Sequence, residues 1–500
     1  MRLLRPLWIV IVLAVVCVIS ARAGAQGKFT DIREVPKTPA YARAHEFVRI
    51  VKAGNEAEWK AFVEKSFAPE FREAVPMERH LGFFRAVMDQ TGGELEAYAA
   101  RTYEPARPDT AAVLIVRNGF TESWRAVSLG VEEEAPHRVT TLDFLPARPP
   151  SDLPKAEKLT AKQLGETLGT YVDKLGQRGV FSGTVLIAKD GKAVLERAVG
   201  VANRDFNAPV NMDTKFNLGS MNKMFTGVAA MQLVEKGKLS LEDPIGKYLD
   251  DSWCSQEVLD KVQVKHLLTH TSGLGSYFNE TFDKTSRARF REVSDYKPLT
   301  REETLAFEPG SQWKYSNTGM LLAGAVIEKA SGMDYFEYVR KNITGPAGMT
   351  GTDCYELDKV NSNLAVGYEK RRNAEGGVEY VNNVFAHVIR GGPAGGGYST
   401  APDLLKFDGA IRAGKLLSEA SLKQLWSAHP EVGSKNYGYG FSVENSPAGR
   451  VVGHSGGFPG ISSYLTMYLD EGYTVIVMAN LGSSAQMVES RAKELITQER

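Results

Sequence analysis

Two pairs of strand-like runs, set far apart in the chain, constrain the fold more than any other feature. "FSGTVLIAKDG" and "KAVLERAVGVANR" begin at Phe181 and Lys192; "SSYLTMYLD" and "YTVIVMAN" begin at Ser462 and Tyr473. Asp190-Gly191 joins the first pair, and Asp-Gly between apolar runs is hairpin chemistry. Between the two pairs the pattern is helical. Strands at both ends of a helical insert imply one sheet built from the two ends of the segment, mostly antiparallel, with helices against it. This α+β segment runs over 161–500, opening in a helix at "TAKQLGETLGTYVDKLGQRG" and closing in one at "SAQMVESRAKELITQ".

Residues 27–146 read as a separate, smaller α+β domain. Three helix-like segments, "TPAYARAHEFVRIVKAG", "NEAEWKAFVEKSF" and "PMERHLGFFRAVMDQTGG", precede four strand-like runs. Helices followed by antiparallel strands pack on one sheet face. The order is similar to the cone-shaped domains of the nuclear transport factor and cystatin-like type, which bind small ligands, dimerise or accompany an enzyme. A homodimer through this domain is therefore an expected partner. The proline-rich stretch 147–160 cannot hold a regular ladder and reads as a linker.

Ahead of both, residues 1–25 have the form of a secretory signal. Arg2 and Arg5 lead, an apolar run from Leu7 to Ile19 follows, and Ala23-Gly24-Ala25 supplies a small-residue cleavage site. The run is shorter than the ~20 apolar residues that span a bilayer. Export to the periplasm or medium is expected, without stable membrane insertion afterwards. Cys17 follows bulky Val16 and does not read as a lipid-modified cysteine. Export leaves Cys254 and Cys354, for which a bridge and two unpaired thiols both remain open. The 60 acidic and 60 basic side chains balance, so the basic footprint of a nucleic-acid partner is missing. The eight histidines are scattered, with neither HExxH nor a Cys/His cluster, so neither a metal nor a cofactor is expected.

Four serines stand three residues before a lysine: Ser220/Lys223, Ser294/Lys297, Ser311/Lys314 and Ser490/Lys493. On a helix such a pair shares a face. A hydroxyl needs a base, and an amine serves only when neutral, hence buried or crowded by other cations. Ser490/Lys493 lies on a charged terminal helix, Ser294/Lys297 in a polar stretch before Pro298, and Ser311/Lys314 after a Pro-Gly turn. Ser220/Lys223 alone opens an apolar helix, with Met224, Phe225, Val228, Met231 and Leu233 expected to face inward and Gly237 to close it. Its serine would sit at the helix N-terminus, where backbone N–H groups can hold a developing oxyanion.

Two further elements follow in order: Tyr315-Ser316-Asn317 after a Pro-Gly turn, and His454-Ser455-Gly456 before a strand. With these, residues 160–500 resemble the serine β-lactamase and penicillin-binding-protein superfamily, on the branch holding class C β-lactamases, D-Ala-D-Ala carboxypeptidases, D-amino-acid peptidases and related esterases. "EKGKLSLEDPI", "VKHLLTHTSGL" and "GGPAGGGYSTAPDLLKF" are similar to that family too, the last with Thr400 capping a helix and Pro402 in its first turn.

The resemblance implies a β-lactamase/transpeptidase-like fold and an exported serine hydrolase cleaving an ester or amide of a small molecule or peptide through an acyl-enzyme. It implies Ser220 as nucleophile, Lys223 as base or proton relay and Tyr315 as a partner in proton transfer. Asn317 would bind Lys223 and substrate, and the N–H groups of Ser220 and Gly457 would form the oxyanion hole. His454, Ser455 and Gly456 would line the substrate strand. No class A deacylation glutamate is assignable. Class C β-lactamases carry lysine where His454 stands; neutral imidazole can donate a hydrogen bond but supplies less fixed charge. That favours an esterase or peptidase over a β-lactamase or D-Ala-D-Ala carboxypeptidase. A non-catalytic binding or sensor protein on the same fold is the alternative of another class. His270 reads as structural.

Overall fold

The computed structural model describes residues 29–103, 109–153, 158–372 and 377–497. The signal-like stretch 1–25 lies outside the described residues, as does part of the proline-rich linker. The chain divides into two compact units, one up to Ala156 and one from Glu157 to Glu499.

In the first unit, strand β1 (Phe29–Ile32) leads into helices α1 (Pro39–Ala53), α2 (Glu56–Ser66) and α3 (Met77–Thr91). Strands β2 (Leu95–Tyr103), β3 (Ala111–Asn118), β4 (Ser123–Val131) and β5 (Val139–Pro146) follow. The sheet is antiparallel in the order β1-β2-β3-β4-β5. The Asn55 side chain accepts from the Ala57 and Glu58 N–H groups and so starts α2. Phe47, Trp59 and Phe84 from the helices pack with Leu114 and Val127 from the sheet. Sequence patterning overlooked β1, which is four residues long. Asp31 on β1 and Arg101 on β2 hold this edge with a 2.7 Å ion pair, each side chain 3% exposed.

The second unit opens with α4 (Ala161–Gln177), started by a Thr160/Gln163 capping box. Strands β6 (Gly183–Lys189) and β7 (Lys192–Val199) form the expected hairpin. Asp190 (φ 50°) and Gly191 (φ 73°) both take positive φ, as a two-residue turn of this hand requires. Helices α5 (Asn222–Glu235), α6 (Asn317–Ser331) and α7 (Ala401–Arg412) come next. Strands β8 (Ser442–Ser446), β9 (Gly449–Phe458), β10 (Ile461–Tyr468) and β11 (Tyr473–Ala479) precede α8 (Ala485–Thr497). One six-stranded antiparallel sheet, β8-β9-β10-β11-β6-β7, joins the two ends of the unit, with Val185 opposite Val477. Helix α5 departs from the expected single inward face: every residue from Asn222 to Leu233 is buried. A helix apolar or small on all sides is a central one. Here Phe225 meets Phe407 of α7 edge-on, and Thr226 hydrogen-bonds Tyr335.

Candidate active site

Ser220 sits in a tight turn forced by its neighbours. Phe216 and Asn217 pair with Ser399 and Tyr398, and the Leu218 N–H donates to the Gly397 carbonyl. Gly219 then takes φ 51°, and a 3-10 turn over Gly219–Met221 feeds α5. Ser220 is half-buried at this end, where N–H groups lack intrahelical acceptors. Strand β9 lies directly on the turn. A Cβ at Gly219 would fall 2.9 Å from the Gly457 nitrogen, and one at Gly456 would fall 1.9 Å from the Leu218 carbonyl oxygen. Gly456 thus permits backbone contact, while Gly457 is exposed and faces open space. Ser455 is exposed beside it.

Lys223, one turn on, is completely buried. Its Nζ lies 3.0 Å from Ser220 Oγ, 2.9 Å from Asn317 Oδ1 and 2.5 Å from the Ala394 carbonyl oxygen. Burial drives its pKa well below that of a free lysine. Asn317 is held with its oxygen toward Lys223 because its Nδ2 donates to Ser276 Oγ at 3.2 Å. A neutral Lys223 therefore donates its two N–H bonds to Ala394 and Asn317, which accept, and turns its lone pair to the Ser220 hydroxyl.

Tyr315 stands at the entry to α6. Ser316 is the N-cap of that helix: its Oγ accepts from the Gly319 N–H and donates to the Gly275 carbonyl, both at 2.8 Å. The middle residue of the Tyr-Ser-Asn triplet therefore fixes the other two. The Tyr315 ring lies 4.8 Å from Lys223 Nζ. Its surface is 36% open, yet its hydroxyl is crowded enough that desolvation pushes its pKa up to about 12, against a hydrogen bond with Ser220.

His454, on β9, is buried with both ring nitrogens engaged. A carbonyl can only accept, so Nδ1 carries the proton and donates to the Ser455 carbonyl at 2.6 Å. Nε2 then accepts from the Tyr437 hydroxyl at 2.8 Å. Burial, with Lys223 adding to it, lowers its pKa to about 3. Sequence reasoning left this imidazole free to donate to a ligand; in the fold its one N–H is spent on its own strand.

The competing serine–lysine pairs have other uses. Ser311 Oγ donates to the Glu308 carbonyl, Lys297 lies over the Trp253 ring, and Lys493 pairs with Glu444 at 2.6 Å. Cys254 and Cys354 are unbridged. Burial raises both thiols to about 12, and Cys354 Sγ accepts from Asn222 Nδ2. Sequence reasoning missed Ala394, Ser276 and Tyr437 as neighbours of the cluster. The glycine-rich run 391–397 was its faint signal for the first; nothing singled out Ser276 or "NYGYGF".

A sheet closed from both ends, with a serine and a buried lysine at the head of its central helix, defines the β-lactamase/transpeptidase-like class. The chain belongs to the Beta-lactamase family, whose sequence profile matches residues 162–498. Penicillin-binding protein 4* of Bacillus subtilis (strain 168) is 34% identical over 332 residues, 63% of this chain and 71% of that one. The crystal structure of a penicillin-binding protein from Bacillus halodurans is 30% identical with a TM-score of 0.58, over 68% of this chain and 100% of its own. A D-stereospecific amidohydrolase from Streptomyces sp. is 26% identical with a TM-score of 0.50, over 66% of this chain and 97% of its own.

Proposed function

We propose that this protein is an exported serine hydrolase that cleaves an ester or amide bond through an acyl-enzyme on Ser220. The observation that carries the reading is Lys223: fully buried, with two acceptors taken and its third partner the Ser220 hydroxyl. Neutral Lys223 removes the Ser220 proton as Oγ bonds to the carbonyl carbon. The oxyanion rests on the N–H groups of Ser220 and Gly457. As the tetrahedral intermediate collapses, Tyr315 passes the proton to the departing alcohol or amine. Water then attacks the acyl-enzyme, giving its proton to the Tyr315–Lys223 pair, and the acid leaves as Ser220 is re-protonated.

The leaving group and acyl group are framed by His454. It is uncharged, and its N–H and lone pair are both in use. A substrate that needs a fixed cation at this strand for its carboxylate, as a β-lactam does for a class C enzyme, finds none on His454. Esters and amides of uncharged acids are therefore the favoured substrates, and β-lactams and D-Ala-D-Ala peptides the disfavoured ones. The similarity to a D-stereospecific amidohydrolase supports the amide branch. The signal-like stretch 1–25 supports export, and the small unit at 27–146 is proposed to dimerise the enzyme or accompany it. Among the described residues no helix is long and apolar enough to cross a membrane.

Labelling with a fluorophosphonate should place the adduct on Ser220, and a panel of nitrocefin, D-Ala-D-Ala peptide and short-chain p-nitrophenyl esters should rank the esters first. Full ester turnover by Ser220→Ala would end the reading.

A further inference from the structure

His270 accounts for something the cluster leaves open, which is what holds Tyr315 in place. Tyr315 lies in an irregular segment before α6 with a third of its surface open. His270 brackets it from both sides. The His270 carbonyl accepts from the Lys314 N–H at 2.9 Å, and the His270 Nδ1 accepts from the Ser316 N–H at 3.1 Å. Between those two bonds the imidazole ring lies 4.3 Å from the Tyr315 ring, centroid to centroid. The ring also meets Tyr437 at 4.6 Å, and Trp313 stands edge-on at 6.0 Å.

The backbone and protonation of His270 are both unusual. It has no exposed surface and takes φ 61°, a left-handed conformation that residues with side chains rarely adopt. Because Nδ1 accepts a backbone N–H, the ring proton sits on Nε2, a buried atom without a hydrogen-bond partner among the described residues. Asn and Gly tolerate this φ as well as His does. What histidine adds is an acceptor for Ser316 and a flat ring against Tyr315 in one side chain.

We infer that His270 is the positioning residue for Tyr315, holding the phenol over Ser220 and Lys223 through the flanking backbone and ring contact. This rests on the proton-transfer role proposed for Tyr315. The test is a double-mutant cycle in the full chain, read as kcat for an unactivated ester such as a methyl ester, whose alcohol must take a proton to leave and whose acyl-enzyme must be hydrolysed. His270→Ala removes acceptor and ring; His270→Asn keeps an acceptor and suits the backbone. Misplacement of a reacting group by about 1 Å costs on the order of 100-fold. His270→Ala should therefore slow turnover on that scale, and His270→Asn by about tenfold. In a Tyr315→Phe background the further loss from either should shrink to less than about threefold, because coupled residues are non-additive.

Equal fold losses in both backgrounds, or unchanged rates, would overturn the assignment. Thermal melts and circular dichroism accompany each variant. If His270→Ala does not fold, His270→Asn carries the cycle; failure of both to fold would make His270 structural and overturn the inference. Unlabelled wild-type Ser220 would instead remove the hydrolase reading itself.

Discussion

Gly456→Ala separates packing from chemistry at the strand beside Ser220. The new Cβ would sit 1.9 Å from the Leu218 carbonyl oxygen and 2.4 Å from Ser463 Oγ. The serine hydroxyl can rotate away, but the carbonyl belongs to a backbone turn pinned by Gly219 and by the Gly397–Leu218 hydrogen bond. Restoring ordinary contact near 3.4 Å means parting β9 from the turn by about 1.5 Å. Overpacking of this kind costs about 1–3 kcal/mol, and each kcal/mol lowers Tm by roughly 1–2 °C in a unit of this size. The Gly457 amide moves with its strand, so kcat/KM for a p-nitrophenyl ester should fall on the order of 100-fold. Gly457→Ala is the control. Its Cβ would meet nothing within 4 Å, so stability should stay within about 0.5 kcal/mol. The measurements are thermal melts and ester kinetics on both variants. Wild-type melting and kcat/KM in Gly456→Ala, or equal losses in both, would refute the argument.

Four further outcomes are expected. Lys223→Met should abolish Ser220 labelling while raising stability near neutral pH. Burial depresses the lysine, so between its folded pKa and 10.5 the unfolded chain holds a proton that the folded chain lacks, and wild-type stability rises with pH across that window; urea melts of the variant should lose that slope. His454, with its pKa near 3, should show no imidazole titration by NMR between pH 5 and 8. His454→Lys should raise nitrocefin turnover relative to ester turnover about tenfold, the worth of one charge-assisted hydrogen bond. Arg101→Met strands the buried Asp31 carboxylate and should destabilise the small unit by about 3–5 kcal/mol in denaturant melts.

Local chemistry made much of this legible from sequence. Asp190-Gly191 marked its hairpin because the turn needs two positive φ values, and the apolar run after Ser220 set that serine apart from three rivals. The contacts that sequence could not supply come from elsewhere in the chain and from generic groups. Ala394 offers Lys223 a backbone carbonyl, which any residue possesses. Ser276 orients Asn317 from another loop. Tyr437 occupies the second ring nitrogen of His454, and His270 sets Tyr315, through contacts visible only after folding. Strand β1 is too short to carry a periodic signal, and its Asp31 gains meaning only opposite Arg101.

The sheet of the second unit also sets an order of events during synthesis. The hairpin β6–β7 is made early, yet β6 keeps one open edge until β11 emerges about 290 residues later. Until then Val185 and Ile187 present an unpaired apolar strand, the kind of edge that invites association with other chains. The strand carrying His454 and Gly457 arrives in that same last stretch. A half-made or truncated chain therefore has the turn that carries Ser220 without the strand that packs on it, and completion of the fold and assembly of the cluster are a single late step.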